Sequence, residues 1–259
     1  MSAYTHLVNQ TYLMTRRDLL TFFRSPPHVI SSIVFPGLLL FFFFVMFNGA
    51  VGNFGDESYI NRLVSGMILT SVTFGSIASA IDFKQDMNSA FFQRIKTFPF
   101  SYTSFALSKV SFEIIRSILS TAVIVILGYF MGFEFFEISV IPVYFMIVAL
   151  ASLTIVWISL SLAVFSKTTE MVTTLLNVIF LFMVFTSLGM VPLGAFPKWI
   201  NTWVLINPLS IYSELMRGLS MGNSDILNGK ISACLSMFSI SVISMIIFSI
   251  GFNKRIKNI

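Results

Sequence analysis

The sequence predicts an all-α integral membrane protein with six transmembrane helices, and three observations carry that prediction. Of 259 residues, 56% are hydrophobic and 10% charged, whereas a water-soluble domain carries about a quarter charged residues to wet its surface. The apolar residues gather in six runs, at 29–50, 60–81, 105–131, 141–165, 171–191 and 231–252. Each is near the roughly 20 residues that cross a hydrocarbon core of about 30 Å as a helix. Polar punctuation separates the runs, at 52–58, 82–104, 132–139, 166–170 and 192–230.

The chain divides into an N-terminal stretch 1–28, a six-span domain 29–252 and a basic tail 253–259. In the first stretch Val8, Tyr12, Leu19 and Phe23 fall close to one helical face while Arg16 and Arg17 fall elsewhere, the pattern of a helix lying on a membrane surface. Ser25-Pro26-Pro27 ends that helix and redirects the chain, because proline lacks an amide donor and restricts its predecessor. The first apolar run begins after this long polar lead and is followed by no small-residue cleavage pattern, so it is expected to be retained as a span rather than removed as a signal peptide. Phe41–Phe44 reads as lipid-facing or packing bulk. The single cysteine, Cys234, excludes an internal disulfide and reads as a small packing residue.

Lysine and arginine positions give the orientation. With both termini inside, the inner segments hold Arg16, Arg17, Arg24, Lys84, Arg94, Lys96, Lys109, Lys167, Lys254, Arg255 and Lys257, and the outer segments hold Arg62, Lys198, Arg217 and Lys230. Positive residues stay on the cytoplasmic side, so both ends are expected there, in a bacterial cytoplasmic membrane. The net charge of +5 resides in these loops rather than in a basic patch interleaved with aromatics, which argues against a nucleic-acid partner.

Enzyme motifs are missing. No glycine-rich loop ends in Gly-Lys-Ser or Gly-Lys-Thr, so the chain does not hydrolyse ATP by that route. His6 and His28 lack partners spaced as metal ligands, and no serine or cysteine sits in a nucleophile motif. No metal site is expected.

Three segments can carry mechanism. In the inner segment 84–99, a short helix is expected over 86–97, ending before Pro99. Met87, Phe91, Ile95 and Phe98 recur on one face, and Asp86, Gln93, Arg94 and Lys96 flank it. Such a ridge fits docking into a groove on a soluble partner or resting on lipid headgroups. Lys109, Glu113 and Arg116 follow at spacings of four and three, so they share a helical face. They read as an ion-paired, snorkelling cluster, or as a cytoplasmic gate or a support for the short inner helix. The outer segment 192–229 is too long for a tight hairpin and too apolar for a free loop. Phe196, Trp199, Ile200, Trp203, Val204, Leu205 and Ile206 make it interfacial or re-entrant, as two short helices broken at Asn207-Pro208. Within it Glu214 and Arg217 are spaced for a local salt bridge or for contact with cargo.

These motifs together resemble those of a known family. Asp86, then Arg94-Ile95-Lys96, Pro99 and Ser101 are similar to the inner loop of type-2 ABC transporter permeases, especially the daunorubicin and multidrug-resistance branch. Ala90 stands where that family has glycine. Pro197, Trp199, Asn207, Pro208, Tyr212, Glu214 and Arg217-Gly218 resemble the family's signature before its last span, and Tyr59–Gly66 with Phe74-Gly75-Ser76 its second span. The resemblance implies a permease dimer, each copy docked through a coupling helix (Asp86, Met87, Phe91, Arg94, Ile95, Lys96, Pro99) to one of two separate ABC ATPase subunits, which bind ATP and Mg. It implies no cofactor in this chain, a path lined by the second and fifth spans, and export of a lipophilic drug, antibiotic, peptide toxin or lipid-linked molecule. Within the same fold the alternative is a polysaccharide or teichoic-acid type exporter. Outside it stands an ion-coupled secondary transporter, though no repeated halves are visible.

Overall fold

The structure is a computed structural model that describes residues 3–51, 59–89, 102–222, 238–252 and 254. Helix α1 (Ala3–Arg24) ends at Ser25, whose extended backbone (φ −110°, ψ 91°) turns the chain into α2 (Pro26–Val29). The two prolines occupy the first helical positions, where a missing amide leaves nothing unpaired. A π-helical turn (Ile30–Val34) leads into α3 (Phe35–Val51). Pro36 has no N–H to return to the Ser32 carbonyl in α-helical register. The Ser71 hydroxyl of α4 (Tyr59–Asn88) donates to that carbonyl instead.

Helix α4 is the axis of the fold and touches α3, α5 (Tyr102–Phe130), α6 (Ile141–Phe165), α7 (Thr169–Phe185) and α9 (Pro208–Met221). Its small residues allow this. A Cβ on Gly66 would stand 2.4 Å from the Gly189 carbonyl oxygen, so the turn after α7 rests directly on the α4 backbone. The core around it joins Leu63, Met67 and Val72 to Val148, Ala151 and Ile155. Helix α8 (Asn201–Ile206) precedes α9, and α10 (Phe238–Phe252) closes the bundle. The α10 rings Phe248 and Phe252 lie 5.6 and 5.9 Å from that of Phe83, and Ser161 Oγ donates to the Ser244 carbonyl across 2.8 Å. Helix α7 starts on a cap, with Thr168 Oγ1 accepting from the Met171 amide at 3.2 Å.

Four described helices are long and apolar enough to cross a membrane, at Pro26–Met46, Tyr59–Asn88, Thr103–Phe130 and Ile138–Phe165; Thr169–Phe185 and Phe238–Phe252 are shorter apolar helices. Large apolar side chains point outward all round the bundle, among them Phe41, Phe42, Ile126, Phe130, Met146, Val178, Phe182, Ile246 and Ile250. Patches this extensive are wetted by lipid, not water. The chain is a multi-pass membrane protein.

Among the described residues two boundaries differ from the apolar runs by more than a helical turn. The second run ends at 81, but α4 continues to Asn88, because Asp82, Lys84 and Asp86 find partners on neighbouring helices (below). The fifth run reaches 191, but α7 stops at Phe185, where Thr186 to Met190 turn to let Gly189 meet Gly66. Residues 231–237 of the sixth run, with Cys234, lie outside the described residues.

Candidate functional site

At one end of the bundle, α1, α4 and α5 meet through charge. Asp86, in the last turn of α4, accepts from Arg17 at 2.7 Å and pairs with Lys109 at 3.0 Å. Lys109 also pairs with Asp18 at 3.1 Å, and Arg17 with Asp18 at 3.0 Å. Burial alone would lower the Arg17 pKa, but Asp86 and Asp18 outweigh it and hold it above the ordinary arginine value. One turn back on α4, Asp82 lies 3.8 Å from His28 at the start of the first span. These groups line a polar cavity of about 230 Å³ that also reaches Ser79. Met87, beside Asp86, is buried in the core. Phe91, Arg94, Ile95, Lys96 and Pro99 lie outside the described residues, so the helix expected over 86–97 is represented by its first residues as the end of α4.

Glu113 and Arg116 are enclosed within the bundle. They are 0% and 1% exposed and face α4. The carboxylate accepts from Arg116 Nε at 3.1 Å, pairs with Nη2, and takes a hydrogen bond from Ser79 Oγ at 2.6 Å. Arg116 Nη2 also donates to the Ser71 carbonyl at 3.3 Å. Gly75 makes the room: a Cβ there would stand 1.8 Å from the guanidinium carbon. The cluster that one helical face suggested therefore divides. Lys109 joins the network with α1, and Glu113–Arg116 forms an enclosed pair between α4 and α5.

On the opposite side of α4, Lys84 is fully buried and its ammonium donates to the Ser166 carbonyl at the C-terminus of α6.

At the other end of the bundle, Asn207 fixes the break between α8 and α9. It is fully buried. Its Nδ2 donates to the Met183 carbonyl at 2.7 Å, and its Oδ1 accepts from the Leu209 amide at 3.0 Å. Pro208 opens α9. Tyr212 meets Thr154 of α6 at 2.9 Å. Arg217 pairs with Glu214 at 2.7 Å, the local salt bridge that spacing predicts, and Arg62 of α4 joins at 3.4 Å while donating to the Leu188 carbonyl at 3.0 Å. Pro197 is exposed, and Trp199 is 82% exposed.

Sequence spacing missed Arg17, Asp18, Ser79, Lys84 and Arg62 as members of these networks. One signal was available: Asp18 is the sole acid among the first 25 residues, and an acid in a basic helix implies a partner elsewhere. Among the described residues no group of three or more His, Cys, Asp or Glu could hold a metal ion.

The ABC-2 type transporter family matches residues 9–221. The chain is similar to the probable doxorubicin resistance ABC transporter permease protein DrrC of Mycobacterium tuberculosis, at 27% identity over 95% of this chain and 89% of the relative. It is also similar to the daunorubicin resistance ABC transporter permease protein DrrB1 of Streptomyces coeruleorubidus, at 22% over 96% and 88%, and to the putative transport permease ycf38 of Cyanophora paradoxa, at 26% over 97% and 90%. A match over most of its length, on a bundle of lipid-facing helices, places the chain in the ABC-2 type transporter family of membrane transport permeases.

Proposed function

We propose that this chain is the permease subunit of an ATP-driven exporter that moves a lipophilic drug or antibiotic out across the bacterial cytoplasmic membrane. ATP and Mg are bound by a separate ABC ATPase, two copies of which dock on two copies of this permease. The observation that carries the reading is kinship over nearly the full length with permeases named for doxorubicin and daunorubicin resistance.

In this reading the chain crosses the membrane six times with both termini in the cytoplasm, and α7 and α10 supply the fifth and sixth spans. Helix α1 rests on the inner leaflet with Val8, Tyr12 and Phe23, all exposed, toward lipid. Helices α8 and α9 dip into the outer side of the bundle, where the burial of α9 gives a non-spanning segment the cover it needs. The stretch 84–99, which opens beside the Asp86 network at the end of α4, is assigned the coupling role. A displacement delivered there passes into α4, the helix that most of the others touch.

The test is to purify the chain with its ATPase, reconstitute both in vesicles, and measure daunorubicin movement and drug-stimulated hydrolysis. ATP-dependent export is expected. Movement of the drug by this chain without an ATPase or ATP refutes the reading. Phe91→Ala and Arg94→Glu are expected to weaken co-purification of the ATPase while membrane insertion persists; undiminished docking and transport in both variants removes the coupling role.

A further inference from the structure

We propose that Lys84 is the positioning residue that ties the coupling end of α4 to the turn between α6 and α7; this rests on the export reading above. The geometry begins with the charges of the last two turns of α4. At 100° per residue, Asp82 and Asp86 fall on one side of the helix and Lys84 on the other. Asp86 holds Arg17 of α1 and Lys109 of α5 at 2.7 and 3.0 Å. Lys84 reaches away from them and donates to the carbonyl of Ser166, the C-cap of α6. Two residues later Thr168 caps α7. The end of α4 is thus held from both sides, and its Lys84 side ends on the three-residue turn, 166–168, that joins two further helices.

A terminal carbonyl does not need this lysine merely to be satisfied. Helix C-termini are capped by water or by a nearby surface cation, and Lys167, the adjacent residue, is exposed and available for that purpose. Lys84 is instead 0% exposed, and taking an ammonium out of water is unfavourable unless its bonds are firmly held. A buried charge that bridges two helices specifies their relative position, because sliding one past the other breaks the bond from the ammonium to the Ser166 carbonyl. Motion imposed on residues 89–101, which follow directly, therefore carries the α6–α7 turn with it. In a chain where α7 presents an outward face of Met171, Leu175, Val178, Phe182 and Phe185, that turn sets the angle of the face.

The experiment uses the full chain in two measurements. In vesicles with its ATPase, Lys84→Met is expected to assemble and hydrolyse ATP within about twofold of the parent while drug moved per ATP falls about tenfold, within the range of ordinary coupling factors; Lys84→Arg restores part of the ratio and Lys167→Met leaves it unchanged. A merely structural lysine lowers assembly, hydrolysis and transport together, and that outcome, or an unchanged ratio, overturns the proposal. The second measurement needs no ATPase: spin labels at Gln85→Cys and Lys167→Cys in a Cys234→Ser background report the distance across the link. A narrow distribution is expected with Lys84 present, broadening by more than about 2 Å, the size of common helix shifts, in Lys84→Met. Equal distributions overturn the link. Failure of the parent complex to export drug instead refutes the export reading, and the label pair still decides on Lys84.

Discussion

Removing Glu113 alone should be far more damaging than removing the whole ion pair. In Glu113→Ala the Arg116 guanidinium loses its Nε bond at 3.1 Å and its close Nη2 partner and keeps the Ser71 carbonyl at 3.3 Å. Arg116 is 1% exposed, so water does not replace the loss. Arg116 follows Tyr102 by fourteen residues, which at 1.5 Å per residue is about 20 Å along the helix. Snorkelling from there is long, and Gly75 encloses the group from the α4 side. Breaking a buried pair by removing one partner costs about 3–5 kcal/mol, and an arginine at the centre of a membrane helix costs roughly 2.5–3.5 kcal/mol on insertion scales. The two routes overlap near 3 kcal/mol, or about two decades in the folding equilibrium.

The double variant Glu113→Leu with Arg116→Met fills similar volume without charge. Such replacements are neutral or even stabilising, so this variant should unfold at about the parent's denaturant fraction. The assay is reversible unfolding in mixed micelles with increasing dodecyl sulfate, read by helix circular dichroism for parent, both singles and the double. A Glu113→Ala variant within about 0.5 kcal/mol of the parent, where ordinary surface changes lie, refutes the reasoning. So does a double variant as unstable as the worse single, since coupling in a cycle is the signature of an interacting pair.

Three further outcomes follow from the same contacts. Gly75→Ala places a Cβ 1.8 Å from the guanidinium carbon and should destabilise by about 1–3 kcal/mol through overpacking, an effect that shrinks in the Glu113→Leu, Arg116→Met background; equal losses in both count against the fit of Gly75 to Arg116. Gly66→Ala drives a Cβ to 2.4 Å from the Gly189 carbonyl and should lift the α7–α8 connection from α4, seen as faster hydrogen exchange at residues 186–190; unchanged exchange refutes this. Asn207→Ala strands the Leu209 amide and the Met183 carbonyl and should lower stability by about 1–3 kcal/mol, measured by thermal unfolding, while Asn207→Asp, which keeps the Oδ1 acceptor, recovers part of it.

Helix positions were legible because each is written in one contiguous stretch: an apolar run of membrane length, a proline pair after Ser25, an asparagine before Pro208. The Glu214–Arg217 bridge was legible for the same reason, since both partners share one helix three residues apart. What spacing could not supply is which distant segment completes a site. Lys109 finds its acids on Asp18 and Asp86, and no periodicity within α5 names either. Glu113 and Arg116 share a face with Lys109 yet turn to α4, because Gly75 and Ser79 leave a polar recess there that only the assembled helix pair creates. The end of α4 shows the same limit from the other direction. Hydropathy closes the second span at 81, since Asp82, Lys84 and Asp86 are charged, but a helix ends where its residues lose favourable partners rather than where they lose hydrophobicity. With Asp86 on α1 and α5 and Lys84 on α6, every charge that argues for a loop instead extends the helix by two turns and delivers it, already braced on both sides, to the segment proposed to meet the ATPase.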